Sequence, residues 1–167
     1  MRDSIGGTWI MGIFIVFIAL FASFMAYSIS YTRAFRVKNE IINMIERNEG
    51  YTSSSLNLDN VQDSALANDT SVEGKAFYFI KSLGYNYTSA EQVSCDTANL
   101  DAGVMKKGGY CLKKLCPSNT NDSDKIYYKV TTFIALSIPM FDLTVRLPIS
   151  GETKAMYYDV SDIGCYN

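Results

Sequence analysis

Four cysteines, Cys95, Cys111, Cys116 and Cys165, are the residues of this chain best equipped for chemistry, and none lies in or beside its apolar N-terminal run. Thiols in a small domain can pair as disulfides, stay free, or hold a metal as thiolates. Structural zinc sites usually show paired short spacings such as C-x2-C, and here only Cys111 and Cys116 are close, at C-x4-C. An even number of cysteines behind a membrane segment reads instead as two disulfides made in an oxidising compartment. Spacing alone leaves three connectivities open. Cys95–Cys111 with Cys116–Cys165 is favoured, because the first bond would close the segment leading into the sheet.

Other chemistry is thin. Histidine is absent, which removes the commonest general base and the commonest metal ligand. No Ser/His/Asp arrangement can form, and neither a phosphate-binding loop nor a carboxylate pair stands out. The chain reads as non-catalytic, without cofactor or metal. Residues 119–124 (NTNDSD) gather oxygens loosely like a calcium loop but lack the EF-hand glycine and distal glutamate, so they read as a polar hairpin loop. A net charge of −2 offers no basic footprint for nucleic acid. Sequons at Asn68, Asn86 and Asn121 are unremarkable in a surface rich in Asn, Ser and Thr. The 12 tyrosines could build a subunit-contact surface, although core and sheet filling accounts for most of them.

The elements that must carry these residues divide sharply. Residues 4–32 contain no charged side chain, and residues 9–26 are apolar apart from Gly12 and Ser23. About 18 such positions suffice to cross a hydrocarbon core as a helix. The run exceeds the ~7–15 residues of a secretory h-region, so a retained membrane helix is preferred to a cleaved signal. Tyr27 and Tyr31 suit a membrane-interface belt. Beyond them Ala34, Val37, Ile41 and Ile45 recur at helical spacing among charged residues, and Gly50 is a natural stop. Residues 9–50 are thus expected to be one helix, apolar all round and then amphipathic, after a leader-like segment at 1–8. Gly12, Ala19, Ala22, Ser23 and Ala26 supply small side chains for close helix packing in lipid.

Residues 51–70 read as a polar linker and 71–167 as an α+β domain. A short helix is expected over 72–83, capped by Thr70 or Ser71 and weakened by Gly74. Strands are expected over 109–113, 125–138 and 141–150, with a kink near Pro148 and Gly151 and extension through 153–158; Pro148 marks an edge strand or a bulge. In 125–138 the even positions Ile126, Tyr128, Val130, Thr132, Ile134, Leu136 and Ile138 form one apolar face. The fold class is α+β: a long N-terminal helix on a small antiparallel sheet of about three strands, with the amphipathic half of the helix covering the sheet.

This layout resembles the type IV pilin-like proteins, and most closely the TadE-like pseudopilins of tight-adherence systems. The resemblance is carried by Gly6-Gly7 before the apolar run, by YTRAFRVKNEIINMIERNEGY (31–51), and by FIALSIPMFDLTVRLPISGETKAMYY (133–158). It covers about half the chain; residues 51–108 carry none of it. It implies cleavage by a peptidase at Gly6, Gly7 and Thr8, leaving a chain that begins at Thr8. It also implies anchoring in a bacterial cell membrane, N-terminus cytoplasmic and domain extracytoplasmic, with the lipid bilayer and pilin-like subunits or assembly-platform membrane proteins as partners. The family usually carries glutamate at the fifth mature position, where this chain would place Gly12. A minor or initiating component fits that departure better than a main subunit. The alternative is a single-pass membrane-anchored binding or sensor ectodomain. One observation opposes the orientation: Arg33, Arg36 and Lys38 follow the span and only Arg2 precedes it, which by the positive-inside rule would place the domain in the cytoplasm. The cysteine pattern argues for the outside.

Overall fold

A computed structural model describes residues 2–58, 60–85, 95, 103–116, 125–138 and 143–157, with side chains described outside 2–6 and 135–146. Helix α1 (Arg2–Arg47) comprises 46 residues, about 69 Å at 1.5 Å per residue. Short α2 (Asp63–Ala67) and then α3 (Val72–Ser82) follow. The strands are β1 (Val104–Lys106), β2 (Tyr110–Leu115), β3 (Lys125–Ile138), β4 (Leu143–Glu152) and β5 (Met156–Tyr157). All pairings are antiparallel, in the order β1-β2-β3-β4, with β5 also paired to β3. The architecture is α+β, a long apolar helix packed on an antiparallel sheet.

Several boundaries differ from the sequence reading. Helix α1 begins earlier than residue 9, running without a break from Arg2 through Gly6-Gly7. Extending a formed helix costs far less than nucleating one, so the long apolar run carries its helicity past two glycines. At the other end the left-handed residue is Glu49 (φ 51), not Gly50. Gly50 N–H donates to Ile45 O at 3.1 Å and Glu49 N–H to Glu46 O at 3.4 Å, the bond pair of a Schellman stop. The polar stretch at 51–70 contains α2, held by one buried side chain, Leu66, against Phe77 and Leu58. Strand β1, absent from the sequence reading, reaches β2 through a turn in which Gly108 (φ 102) and Gly109 (φ 76) take left-handed conformations.

The sheet is covered as its apolar periodicity requires. Ala34, Val37, Ile41 and Ile45 of α1 are each fully buried against Ile126, Val130 and Ile134 of β3, and Val72, Ala76 and Ile80 of α3 complete that core. Thr132 donates its hydroxyl to Ala34 O at 3.1 Å inside this layer. Further along α1, Glu46 accepts the Lys154 N–H at 2.8 Å, so α1 runs antiparallel to β3. Gly151 lets β4 approach the helix: a Cβ there would sit 2.9 Å from Ile42 Cδ1 and 3.1 Å from Lys38 Cδ.

β3 is not one-sided. Thr131 and Phe133, on its second face, are also buried, Phe133 with Cys95, Cys111 and Met105. Pro148 lies in edge strand β4, opposite Phe133, and the register runs unbroken from Lys129↔Glu152 to Ile138↔Leu143, without a bulge at Pro148 or Gly151. Both backbone groups of Phe133 bond to Tyr85 on the side away from β4. The Phe133–Pro148 pair therefore needs no N–H from the proline. The bulge comes later. Between Lys129↔Glu152 and Ile126↔Met156, two residues of β3 face three of the returning chain. Thr153 fills the gap, giving its N–H to Tyr128 O and accepting the Tyr128 N–H on its hydroxyl, each at 2.9 Å.

Candidate functional site

The feature that demands a function is the first half of α1. Its most apolar stretch has no buried residue, and Trp9, Ile10, Phe17, Leu20 and Phe24 are each at least 63% exposed. An isolated monomer in water would not leave so large a contiguous apolar surface open. This helix is long and apolar enough to cross a membrane near the N-terminus. Its 18 most apolar residues, 9–26, measure about 27 Å, close to the ~30 Å of a hydrocarbon core. Tyr27, Tyr31 and Phe35 then form a ladder, with ring centroids 6.3 and 6.2 Å apart, and Lys38 Nζ lies 4.4 Å over the Phe35 ring. The ladder leads from the apolar run to the domain and has the amphipathic character of a membrane-interface belt.

The small residues of the span are separated by rotation. At ~100° per residue, Gly12, Ala19, Ser23 and Ala26 fall within an arc of about 60°, whereas Ala22 stands about 80° from Gly12. Carried onward, the same arc holds Val37 and Ile41, which face the sheet. The Ser23 hydroxyl donates to Ala19 O at 2.8 Å, so it is satisfied within the helix. A Cβ on Gly12 or Gly7 would meet nothing within 4 Å; no contact inside the monomer calls for glycine at either position. Gly12 opens a shallow notch of about 390 Å³ beside Thr8, Trp9, Ile13 and Val16. Gly6, Gly7 and Thr8 lie in helical backbone.

Two of the cysteines meet. Cys95 and Cys111 form a disulfide with Cα atoms 6.0 Å apart, buried on the sheet face opposite α1. Cys116 is in a disulfide as well, and Cys165 lies outside the described residues. The oxygen-rich loop at 119–124 and the sequons at Asn86 and Asn121 lie outside them too; Asn68 is the exposed C-cap of α2.

The polar network most deeply set in the domain was not legible in the sequence. Tyr51 and Tyr110 hydroxyls are 3.0 Å apart. Beside them the buried Glu73 accepts the Ser54 N–H at 3.1 Å and lies 3.9 Å from Lys106 Nζ, which also stands 4.7 Å over the Tyr51 ring. Burial foremost, then the neighbouring Tyr110 and the Glu73 charge, raise the Tyr51 pKa well above the ordinary phenol range. Tyr110 is raised by burial and by Glu73, against the lowering hydrogen bond from Tyr51. Both phenols stay protonated, which suits cross-bracing of the chain after α1 to β2 rather than proton transfer. Nearby, Asp69 accepts the Ser54 hydroxyl at 2.5 Å and the Ser71 N–H at 2.8 Å. Desolvation would raise its pKa, but these hydrogen bonds outweigh it and hold the carboxyl below its usual value. Ser71 is the residue that caps α3, accepting the Gly74 N–H at 3.0 Å. Glycine at position 74 costs helix propensity but is required sterically: a Cβ there would overlap the Asp69 carboxylate.

Among the described residues no group of three or more His, Cys, Asp or Glu is placed to hold a metal. No family model, curated protein or solved structure matches the chain.

Proposed function

We propose that this protein is a membrane-anchored, non-catalytic, pilin-like component of a bacterial envelope, a TadE-like minor pseudopilin of a surface appendage or secretion machine. One observation carries the reading: a single continuous helix is wholly exposed along its apolar half and buried in a disulfide-bearing sheet domain along its amphipathic half. In lipid the exposed half associates with neighbouring helices through packing at small residues, while the domain sets subunit spacing outside the membrane. Intact-mass analysis of the protein from its native membrane tests this. A chain beginning at Thr8 is the expected product of leader processing; an unprocessed N-terminus leaves the fold reading alone and weakens the pilus role.

A second reading, an anchored binding ectodomain acting as a monomer, is favoured by a groove of about 500 Å³ where α1 meets the end of α3. Cysteine crosslinking at Gly12, Ala19, Ser23 and Ala26 in native membranes separates the two. Efficient crosslinks to pilin-like subunits support the filament component, and their absence at every position supports the ectodomain. Topology is tested by a membrane-impermeant maleimide on intact, reduced cells: labelling of the domain cysteines only after lysis would place the domain in the cytoplasm and end the pseudopilin reading.

A further inference from the structure

We infer that the groove between the membrane-proximal turns of α1 and the C-terminal end of α3 binds the phosphate of an anionic phospholipid through Arg33 and Arg36. The inference rests on α1 spanning a bilayer, and is independent of any role in a pilus. The groove is lined at one end by Met25 and Ile29, and at the other by the two arginines, with Leu83 and Ser82 of the α3 terminus as its far wall. Its volume of about 500 Å³ lies within the ~300–1,000 Å³ usual for small-molecule sites.

Position favours a lipid over a soluble ligand. Met25 belongs to the apolar run, and Ile29 stands one turn further along the same side of the helix. Arg33 lies seven residues past Ala26, about 10 Å along the axis, which is the depth of the headgroups when residues 9–26 fill the hydrocarbon core. An acyl chain would follow the apolar end of the groove, and its phosphate would reach the cationic end.

Charge favours an anion. Both arginines are exposed, and among the described residues neither is ion-paired. Arg33 Nη1 is within 3.4 Å of Gly84 O, so the carbonyl-rich end of α3 holds this guanidinium at the mouth of the groove. Two of the three hydroxyls lining the groove are already committed as donors, Thr32 to Ser28 O and Ser82 to Phe79 O, each at 2.8 Å. The side-chain donors left for an incoming phosphate are the two guanidiniums and the Ser28 hydroxyl, and of these the charged, planar forks of the arginines suit it best. No carboxylate lines the groove.

The test uses the full chain reconstituted in nanodiscs of equimolar phosphatidylglycerol and phosphatidylcholine, with retained lipid read by native mass spectrometry. Both lipids carry the phosphate, but the choline cation of phosphatidylcholine offsets its charge, so the two exposed guanidiniums should prefer phosphatidylglycerol by about tenfold, about 1.4 kcal/mol. The double variant Arg33→Gln/Arg36→Gln should bring that ratio to about one, while Arg47→Gln, at the far end of α1, should leave it unchanged. Equal retention of the two lipids by wild type, or a preference that survives the double variant, overturns the inference. Alkaline carbonate extraction runs in parallel. A wild-type chain that leaves the membrane would refute the span itself, and the inference with it, whereas an inserted chain without lipid preference refutes the site alone.

Discussion

Replacing Tyr85 with Phe removes a single oxygen atom and should cost this domain several kcal/mol. The Tyr85 hydroxyl donates to Phe133 O at 2.6 Å and accepts from Phe133 N–H at 2.9 Å, both in buried surroundings. Strand β2 pairs with β3 only as far as Tyr110↔Thr132, so among the described residues Phe133 has no strand neighbour on that side, and the phenol takes the place of a neighbouring strand's backbone. Phenylalanine fills the same volume, so no cavity term enters. Two buried backbone groups lose their partner at about 1–3 kcal/mol each, for a total of about 2–6 kcal/mol. That is a large share of the stability of a small domain. Urea unfolding of the detergent-solubilised protein measures the total, and amide exchange at Phe133 localises it. The same bond predicts a pH signature. Burial pushes the Tyr85 phenol up to about 12 from its ordinary 10.0, against the lowering hydrogen bond to Phe133. A raised phenol pKa means stability that is complete below pH 10 and lost as pH rises through 12. The gap between wild type and Tyr85→Phe should therefore narrow over that window. A loss below about 0.5 kcal/mol with unchanged Phe133 protection would refute the reasoning, because a buried hydroxyl in two good hydrogen bonds cannot be that cheap to remove.

Three further outcomes are expected. Gly74→Ala should destabilise by about 1–3 kcal/mol although alanine is the better helix former, because its Cβ displaces the Asp69 carboxylate from the start of α3; a rise in melting temperature would show that Asp69 is dispensable there. Glu49→Gly should stabilise by up to about 1 kcal/mol, since Glu49 holds φ at 51 in the left-handed region, and a thermal melt reads the shift directly. Replacing Cys95 and Cys111 together with serine should cost about 3 kcal/mol by the chain-entropy account of a loop with a sequence separation of 16, measured by urea unfolding with Cys116 and Cys165 left intact.

Much of this architecture follows from one-dimensional pattern. The apolar run at 9–26, the burial of Ala34, Val37, Ile41 and Ile45, and the alternation from Ile126 to Ile134 are each local periodicities, and geometry converts a period of 3.6 or 2 directly into a face. The helix at 72–83 was readable from its Ser71 cap and its closing Gly84. The Cys95–Cys111 bond is one of the pairings that cysteine number and position favoured. The exposed span was equally readable, because its length and lack of charge are properties of the chain alone.

Other features depend on residues far apart in sequence. Strand β1 is three residues long and exists because β2 offers it an edge, and α2 holds because Leu66 finds Phe77. The burial of Phe133 on the second face of β3 needs Cys95 and Cys111 beside it. Pro148 is tolerated inside β4 without a bulge because the register sets it opposite Phe133, whose backbone groups face away from β4 and are satisfied by Tyr85, and the bulge appears at Thr153, whose hydroxyl can stand in for a strand carbonyl. The groove of Arg33 and Arg36 has the same origin. Sequence placed two cations just beyond the apolar run, a fact of composition and spacing. Whether they faced solvent, a carboxylate or a cleft depended on where the end of α3 came to rest, and only the packing of Val72, Ala76 and Ile80 against the same core decided that.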